Sequence, residues 1–437
     1  MKRKFALLTV FTIAFIGVLI ASLNLRFQRV EAGGTIYIRA DGSIDPATAP
    51  IERDGDVYTL TGYIYEPIVV ERDNIVVDGA GYVVQGGGGG RGIDLSDRTN
   101  VTVKNMEIKT FNTGIFLSSS INNTVVRNNI TNNGDYGIRL DSCSSNSIYG
   151  NNIKENSLAV YFHSSEDNIV SENNIADNSY GIYLYQSSSN TFSLNNIDGN
   201  TYGILLSYCS HNTMAGNNLK DNAKGIQLTH SSNNKFYHNN FLNNTEQVDS
   251  QVSGYANFWD KSYPYGGNYW SDYAGVDSDH DGIGDALYTI DGDNVDNYPL
   301  MGMFRSFNTS LGCLVNVVSN STINSFHYFE SNTTIKMYVS NSSVTQNYGF
   351  CRVCIPHLLM NVSNISVIID EGEINPSHFN NMTYDNGTHR WIYFAYPHST
   401  HEINIIPELP SFLIAPLLAT TTLLVAIAYR KRRESKK

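Results

Sequence analysis

The run Asp277-Ser278-Asp279-His280-Asp281-Gly282-Ile283-Gly284-Asp285 places carboxylates at alternate positions around a glycine. Side chains spaced in this way converge on one hard cation while the glycine makes the sharp turn, so calcium on Asp277, Asp279, Asp281 and Asp285 is the expected chemistry. Asp291, Asp293 and Asp296 follow closely enough to complete the shell. A second set is spread along the chain at a constant interval. Arg139, Tyr161 and Tyr183 are 22 residues apart, and so are Asp141, His163 and Tyr185. Rings flanked by an arginine and an aspartate suit sugars, which stack on aromatic faces and bond their hydroxyls to planar polar groups. A third set is the carboxylate pair Glu155 and Asp177, the best candidates for the two acids of glycoside hydrolysis. Their positional equivalents are Asn132, Gly199, Asp221 and Asn243, residue types that turn a chain.

The interval of 22 comes from the element that must carry these residues. An Asn-Asn-apolar triplet recurs six times, at Asn128, Asn151, Asn173, Asn195, Asn217 and Asn239, and a Gly-Ile or Ala-Val landmark recurs between triplets from Gly114 to Ile226. A fixed period of this length means stacked units sharing one core. Apolar columns such as Ile115/Ile138/Val160/Ile182/Ile204/Ile226 alternate with polar residues, the period of a strand. Three asparagine columns, beginning at Asn123, Asn129 and Asn133, predict three corners and hence three strands per coil, because asparagine tolerates left-handed backbone. The positions two and four after each landmark glycine face outward, which places Arg139, Asp141, Tyr161, His163, Tyr183 and Tyr185 on one wall of an all-β, parallel β-helix. Crossover sterics favour the right-handed form.

These phased repeats resemble the NosD-type β-helix family of the pectin-lyase-like superfamily, also described as a carbohydrate-binding and sugar-hydrolysis repeat domain, over roughly residues 60 to 250. The resemblance implies a right-handed parallel β-helix, and its label points to copper and to maturation of a copper enzyme. His163, His211, His230 and His238 fall in different columns or distant coils, with no Met-rich or Cys-His cluster, so copper is not expected here. The acidic run resembles the calcium loops of dockerin and thrombospondin type 3 repeats. It departs from an EF-hand because Tyr288 stands where the bidentate glutamate belongs.

Five segments are expected. Residues 1–32 open with Lys2, Arg3 and Lys4 before an apolar run and read as a signal peptide or signal anchor. Residues 33–254 form the β-helix with its N-terminal cap, and 255–306 the aromatic and acidic segment. Residues 307–407 read as a β-sandwich bearing eight Asn-x-Ser/Thr sequons, at Asn308, Asn320, Asn332, Asn341, Asn361, Asn364, Asn381 and Asn386. Residues 408–437 hold an apolar span from Ser411 to Tyr429 and a basic tail, a transmembrane or sorting segment similar to archaeal ones. Cys143 and Cys209 lie three coils apart, beyond bridging distance, while Cys313, Cys351 and Cys354 offer one bridge or free thiols.

The net charge of −12 understates the acidity of the folded part, since nine of the 29 Lys and Arg lie within the first four and last eight residues. A nucleic-acid partner is therefore not expected. The reading is a membrane-tethered protein on the outer side of the cell membrane that binds polysaccharide or another glycan without catalysis. The alternatives are a polysaccharide hydrolase or lyase, a structural spacer of the envelope, and a copper-binding maturation factor.

Overall fold

The computed structural model describes residues 34–342, 347–361, 364–370, 372–373, 379–397 and 399–408. The expected N-terminal signal and C-terminal apolar span lie outside them. The described residues form strands and turns, with no helix among them, and none therefore holds a helix long and apolar enough to cross a membrane.

Three sheets wind around one core, sheet A of 11 strands, sheet B of 10 and sheet C of nine, parallel throughout except for the end strands Ile44–Asp45 of A and Ile51–Asp54 of B, which pair antiparallel. Each coil contributes a six-residue strand to sheet A, such as Tyr136–Asp141, Leu158–His163 and Tyr180–Tyr185, and three-residue strands to sheets B and C, such as Ser147–Tyr149 and Asn152–Lys154. Neighbouring strands pair in strict register, with Ile138 beside Val160 and Val160 beside Ile182. The inward columns are sealed: Ile138, Val160, Ile182, Ile204 and Ile226 are all 0% exposed. The landmark position is crowded: a Cβ on Gly181 would lie 2.5 Å from the carbonyl oxygen of Gly203 in the next coil, and Ala159 carries the largest side chain in this column.

The corners differ from the expectation in number and in residue. Each coil has four left-handed residues, for example Gln186, Ser189, Leu194 and Gly199, with φ between 49° and 65°. Each precedes an inward-turned polar or thiol side chain: Ser187, Asn190, Asn195 and Asn200 in that coil. The buried middle ladder is thus Asn128/Asn151/Asn173/Asn195/Asn217/Asn239, the first asparagine of each triplet, with exposures of 2% or less. The second asparagine, expected at the corner, opens the sheet C strand and points outward. There Asn152 donates to Asn129 (2.6 Å) and Asn174 to Asn152 (2.8 Å). The buried asparagines themselves do not adopt the left-handed conformation. Their amides satisfy backbone groups that the turns strand. Asn173 shows the pattern: its Oδ1 accepts from Asn151 N (3.0 Å), while its Nδ2 donates to Ile148 O (2.9 Å), Ser171 O (3.0 Å) and Asn195 Oδ1 (3.0 Å).

The buried ladders run the same way, each main-chain N–H bonding the amide oxygen of the following coil, and end in the aromatic and acidic segment, whereas the outward amides of Asn152 and Asn174 donate toward the preceding coil. Asn239 donates to Asn268 Oδ1, and the Asn268 backbone N–H to Asp296 Oδ2 (2.7 Å); Asn234 donates to Asn257, and Asn257 to Asn294, which Asp291 holds. Aligned amides leave an excess of N–H at this end, and carboxylates complement it as they do at a helix N-terminus. The core closes with Trp259 stacked on Phe236 (4.3 Å) and Trp270 on Phe241 (4.1 Å).

Beyond it, two five-stranded antiparallel sheets share one apolar core that includes Val317, Met337, Val353, Phe394 and Ile403. This sandwich docks on the rod. Phe304 N donates to Asn240 Oδ1 (2.7 Å), the Phe304 ring stacks on His238 (4.1 Å), and the buried Arg352 donates to the carbonyls of Asp281 and Pro264. All five cysteines are free. Cys351 lies in the sandwich core, whereas Cys354, three residues along the strand, lines the small gap beside His238, so the two thiols do not share a face. Six of the eight sequon asparagines are exposed; Asn320 is half-buried with its amide bonded to Tyr348 O, and the side chain of Asn381 lies outside the described set.

Candidate functional site

The six residues expected on one wall do share sheet A. Register places Arg139 beside Tyr161 and Tyr161 beside Tyr183, with Asp141 beside His163 and His163 beside Tyr185. Arg139 forks onto Asp141 through Nε (3.1 and 3.0 Å) and Nη2 (2.8 Å), and its guanidinium lies over the rings of Tyr136, Tyr161 and Phe116 at 4.9, 5.8 and 5.7 Å. His163 Nδ1 is 3.9 Å from Asp141. Burial, together with Tyr183 and Tyr136, pushes the Tyr161 phenol up to about 12, so it is a neutral hydroxyl donor at ordinary pH.

The ring surface extends further than the six. Tyr136, Tyr161, Tyr183, Tyr180 and Tyr202 run in sequence with centroid steps of 5.3, 5.2, 5.9 and 4.7 Å. Arg91 over Phe116 (3.6 Å) ends this row on one side and Lys224 over Tyr202 (5.7 Å) on the other. A second row runs His163, Tyr185, Tyr208, His230 and Tyr255. The residues missed from sequence stand one position before the landmark glycine (Tyr136, Tyr180, Tyr202) and five after it (Tyr208, His230). The same interval of 22 marked them, although each column also holds small or aliphatic residues. From Arg91 to Lys224 the first row crosses seven strands, about 29 Å at the usual strand spacing. It forms a long wall of ring edges and faces with a charged cluster partway along.

The carboxylate pair has a corner role. Glu155 and Asp177 both sit at left-handed residues, φ 56°, and Glu155 accepts from the Asn132 amide (2.9 Å).

Asp277, Asp279 and Asp281 do converge, with one oxygen from each inside 4.8 Å of the others. Asp285 is not in this group; its Oδ2 accepts from Ser278 N (2.9 Å). The other expected donors are engaged elsewhere: Asp291 with Asn294, Asp293 with Gly254 N, and Asp296 with Trp270 Nε1. Burial raises Asp277 to about 6, helped by Asp281 and Asp279, and burial also raises Asp281. Crowded, partly buried oxygens of this kind fit a hard dication, which would relieve the repulsion.

Among the described residues, His163, His211, His230 and His238 stand apart from one another. His230 stacks on Tyr208 and His238 Nε2 meets Tyr265 O, while among the described residues the aspartate group is the one cluster of three or more His, Cys, Asp or Glu side chains.

Residues 70–275, just under half of the chain, match the family described as "Periplasmic copper-binding protein (NosD)". No curated protein matches the chain. Among solved structures, it is similar to a mutant of the periplasmic alginate epimerase AlgG at 17% identity and a TM-score of 0.36, over 44% of this chain and 65% of that one. It is similar to the mannuronan C-5 epimerase AlgE6 A-module of Azotobacter vinelandii at 15% identity and 0.33, over 46% and 60%. Tailspike protein 2 of Escherichia coli bacteriophage CAB120 gives 10% identity and 0.41, over 79% and 57%. The chain thus spans less than two thirds of the length of each of these proteins. By its repeat period and its buried corner asparagines the rod is a parallel β-helix, and its residues 70–275 are the part that matches the NosD family.

Proposed function

We propose that this protein is an exported, membrane-tethered surface module that binds polysaccharide along sheet A without catalysis. The observation that carries the reading is the row from Arg91 to Lys224, with Tyr136, Tyr161, Tyr183, Tyr180 and Tyr202 between the two cations. Ring stacking is tolerant of which sugar face lies on it, while the Arg139–Asp141–His163 cluster offers directional hydrogen bonds at one place. Residues 1–32 direct export and 408–437 hold the chain to the membrane in this proposal. A calcium ion on Asp277, Asp279 and Asp281 stiffens the loop on which Arg352 of the sandwich rests, and glycans on the exposed sequons cover the sandwich surface. Replacing Tyr161, Tyr183 and Tyr185 with Ala should abolish retention on a glycan array while leaving the melting temperature within a few degrees of the parent. Equal retention would remove the proposal.

A second reading, a lyase-type reaction on uronate chains, draws on one observation: a half-exposed imidazole, an arginine and an aspartate meet on the same wall. His163 would take the C5 proton beside the sugar carboxylate while Arg139 balances its charge; the electron pair forms the C4–C5 double bond as the bond from C4 to the bridging oxygen breaks, and that oxygen takes a proton from water. An ultraviolet-absorbing unsaturated product from alginate or polygalacturonate, lost in His163→Ala, would favour it; no product at any calcium level leaves the binding module.

A further inference from the structure

A cleft on a different wall, near the N-terminal end of sheet C, has a construction of its own. Ile64 forms a parallel bridge with Val84, taking a hydrogen bond from Gln85 N and giving one to Val83 O, both 2.9 Å. Ile64 is buried inward, so its two neighbours point out, and Tyr63 and Tyr65 are 61% and 49% exposed. Tyr82 meets Tyr63 edge-on at 5.9 Å and orients it. Between these rings and the outward side chains of Gln85, Glu107 and Lys109 is a cleft of about 320 Å³, within the range of small-ligand sites. Its floor has no net charge, because Lys109 Nζ and Glu107 Oε1 pair at 2.7 Å. Among the described residues the Gln85 side-chain amide has no hydrogen-bond partner, so the two donors and the acceptor that it offers are open where it lines the cleft.

We infer that this cleft binds one neutral sugar unit of a glycan, its ring face on Tyr63 or Tyr65 and its hydroxyls on Gln85, Glu107 and Lys109. Two exposed rings supply the apolar face that a pyranose needs. The compensated pair accepts and donates to hydroxyls, yet gives no net attraction to a uronate. The inference does not rest on the sheet A proposal, since the two sites share no residue.

The test uses the full chain carrying Tyr161→Ala and Tyr183→Ala, so that the sheet A row is broken. Cellotetraose, mannotetraose, xylotetraose and tetragalacturonate are titrated by saturation-transfer NMR and calorimetry. At least one neutral tetrasaccharide should bind, with affinity falling tenfold or more on adding Tyr63→Ala and Tyr65→Ala, and severalfold on adding Gln85→Ala alone. Tetragalacturonate should bind at least tenfold more weakly. The exposed rings can be removed without touching Ile64, and an unchanged melting temperature verifies that the fold survives. Absence of binding by all three neutral sugars, an unchanged affinity in the Tyr63/Tyr65 variant, or a preference for tetragalacturonate would overturn the inference. Failure of the sheet A proposal is separate: glycan retention would then be the same with or without Tyr161 and Tyr183.

Discussion

Substituting Asn195 and Asn196, neighbours in one triplet, should give opposite results. Asn195 is 0% exposed and makes four side-chain hydrogen bonds: it accepts from Asn173 N (3.1 Å) and Asn173 Nδ2 (3.0 Å), and donates to Val170 O and Asn217 Oδ1 (both 2.9 Å). Truncation to alanine spares part of this. Asn173 Nδ2 keeps Ile148 O and Ser171 O, and Asn217 Oδ1 keeps Asn195 N. The Asn173 backbone N–H has no such reserve, and a stranded buried donor costs about 1–3 kcal/mol. With the small void and the loss at Val170 O, the total is about 2–4 kcal/mol. Asn195→Asp should be worse: it keeps an acceptor for Asn173 but sets an unpaired charge against Val170 O and Asn217 Oδ1. Asn196→Ala forfeits one solvent-exposed bond to Asn174 Oδ1 (2.9 Å) and should cost less than about 0.5 kcal/mol. Urea unfolding followed by circular dichroism ranks the three variants, and hydrogen exchange in the coils around Asn173 tests whether the damage is local, as a stacked array requires. Equal costs at Asn195 and Asn196, or an aspartate variant milder than the alanine, would refute the reasoning.

Calcium should raise the melting temperature of the full chain by several degrees, and Asp279→Asn with Asp281→Asn should remove the response; a calcium-insensitive parent would dismiss the ion. His238 is buried against Phe304, and burial holds its imidazole down at about 4, below the ordinary 6.5. A depressed folded value means that its contribution is present above pH 6.5 and is lost as pH falls toward 4, by up to about 3 kcal/mol. His238→Gln should flatten that limb in acid melting curves. Asp296 behaves in the opposite sense: burial raises it from 3.8 to about 7, against the pull of Asn268 N and Trp270 Nε1. Its share of stability is present below pH 3.8 and is lost as pH rises through 7, so Asp296→Asn should abolish that slope in urea midpoints measured between pH 4 and 8.

The period and the apolar columns were enough to read three sheets and their register, because an inward Ile or Val every 22 residues leaves little choice of face. The corners were read one residue late in the triplet. Two adjacent asparagines look alike in sequence, and the left-handed position that distinguishes them holds Arg127, Gly150, Glu172, Leu194, Gly216 and His238, which have no common side-chain property. The wall was half legible. Arg139, Asp141, Tyr161, His163, Tyr183 and Tyr185 came from one pair of columns, but Tyr180 and Tyr202, which stack at 4.7 Å, stand one before the landmark glycine in a column that also holds threonine, leucine and lysine. The N-terminal cleft gave no signal at all, since Tyr63 and Tyr65 precede the repeat and take their place through a bridge formed by Ile64.

The one-way amide rows also set a polarity on assembly. At each asparagine corner, the main-chain donor finds its acceptor in the coil that follows, as Asn123 does at Asn146 and Asn146 at Asn168. A nascent rod emerging N-terminus first therefore always ends in thirsty donors until the acidic plug arrives, whereas its starting end is left with spare carbonyl lone pairs, which water tolerates more cheaply. Deleting coils from the front should accordingly be forgiven more readily than stopping translation a coil short of the plug.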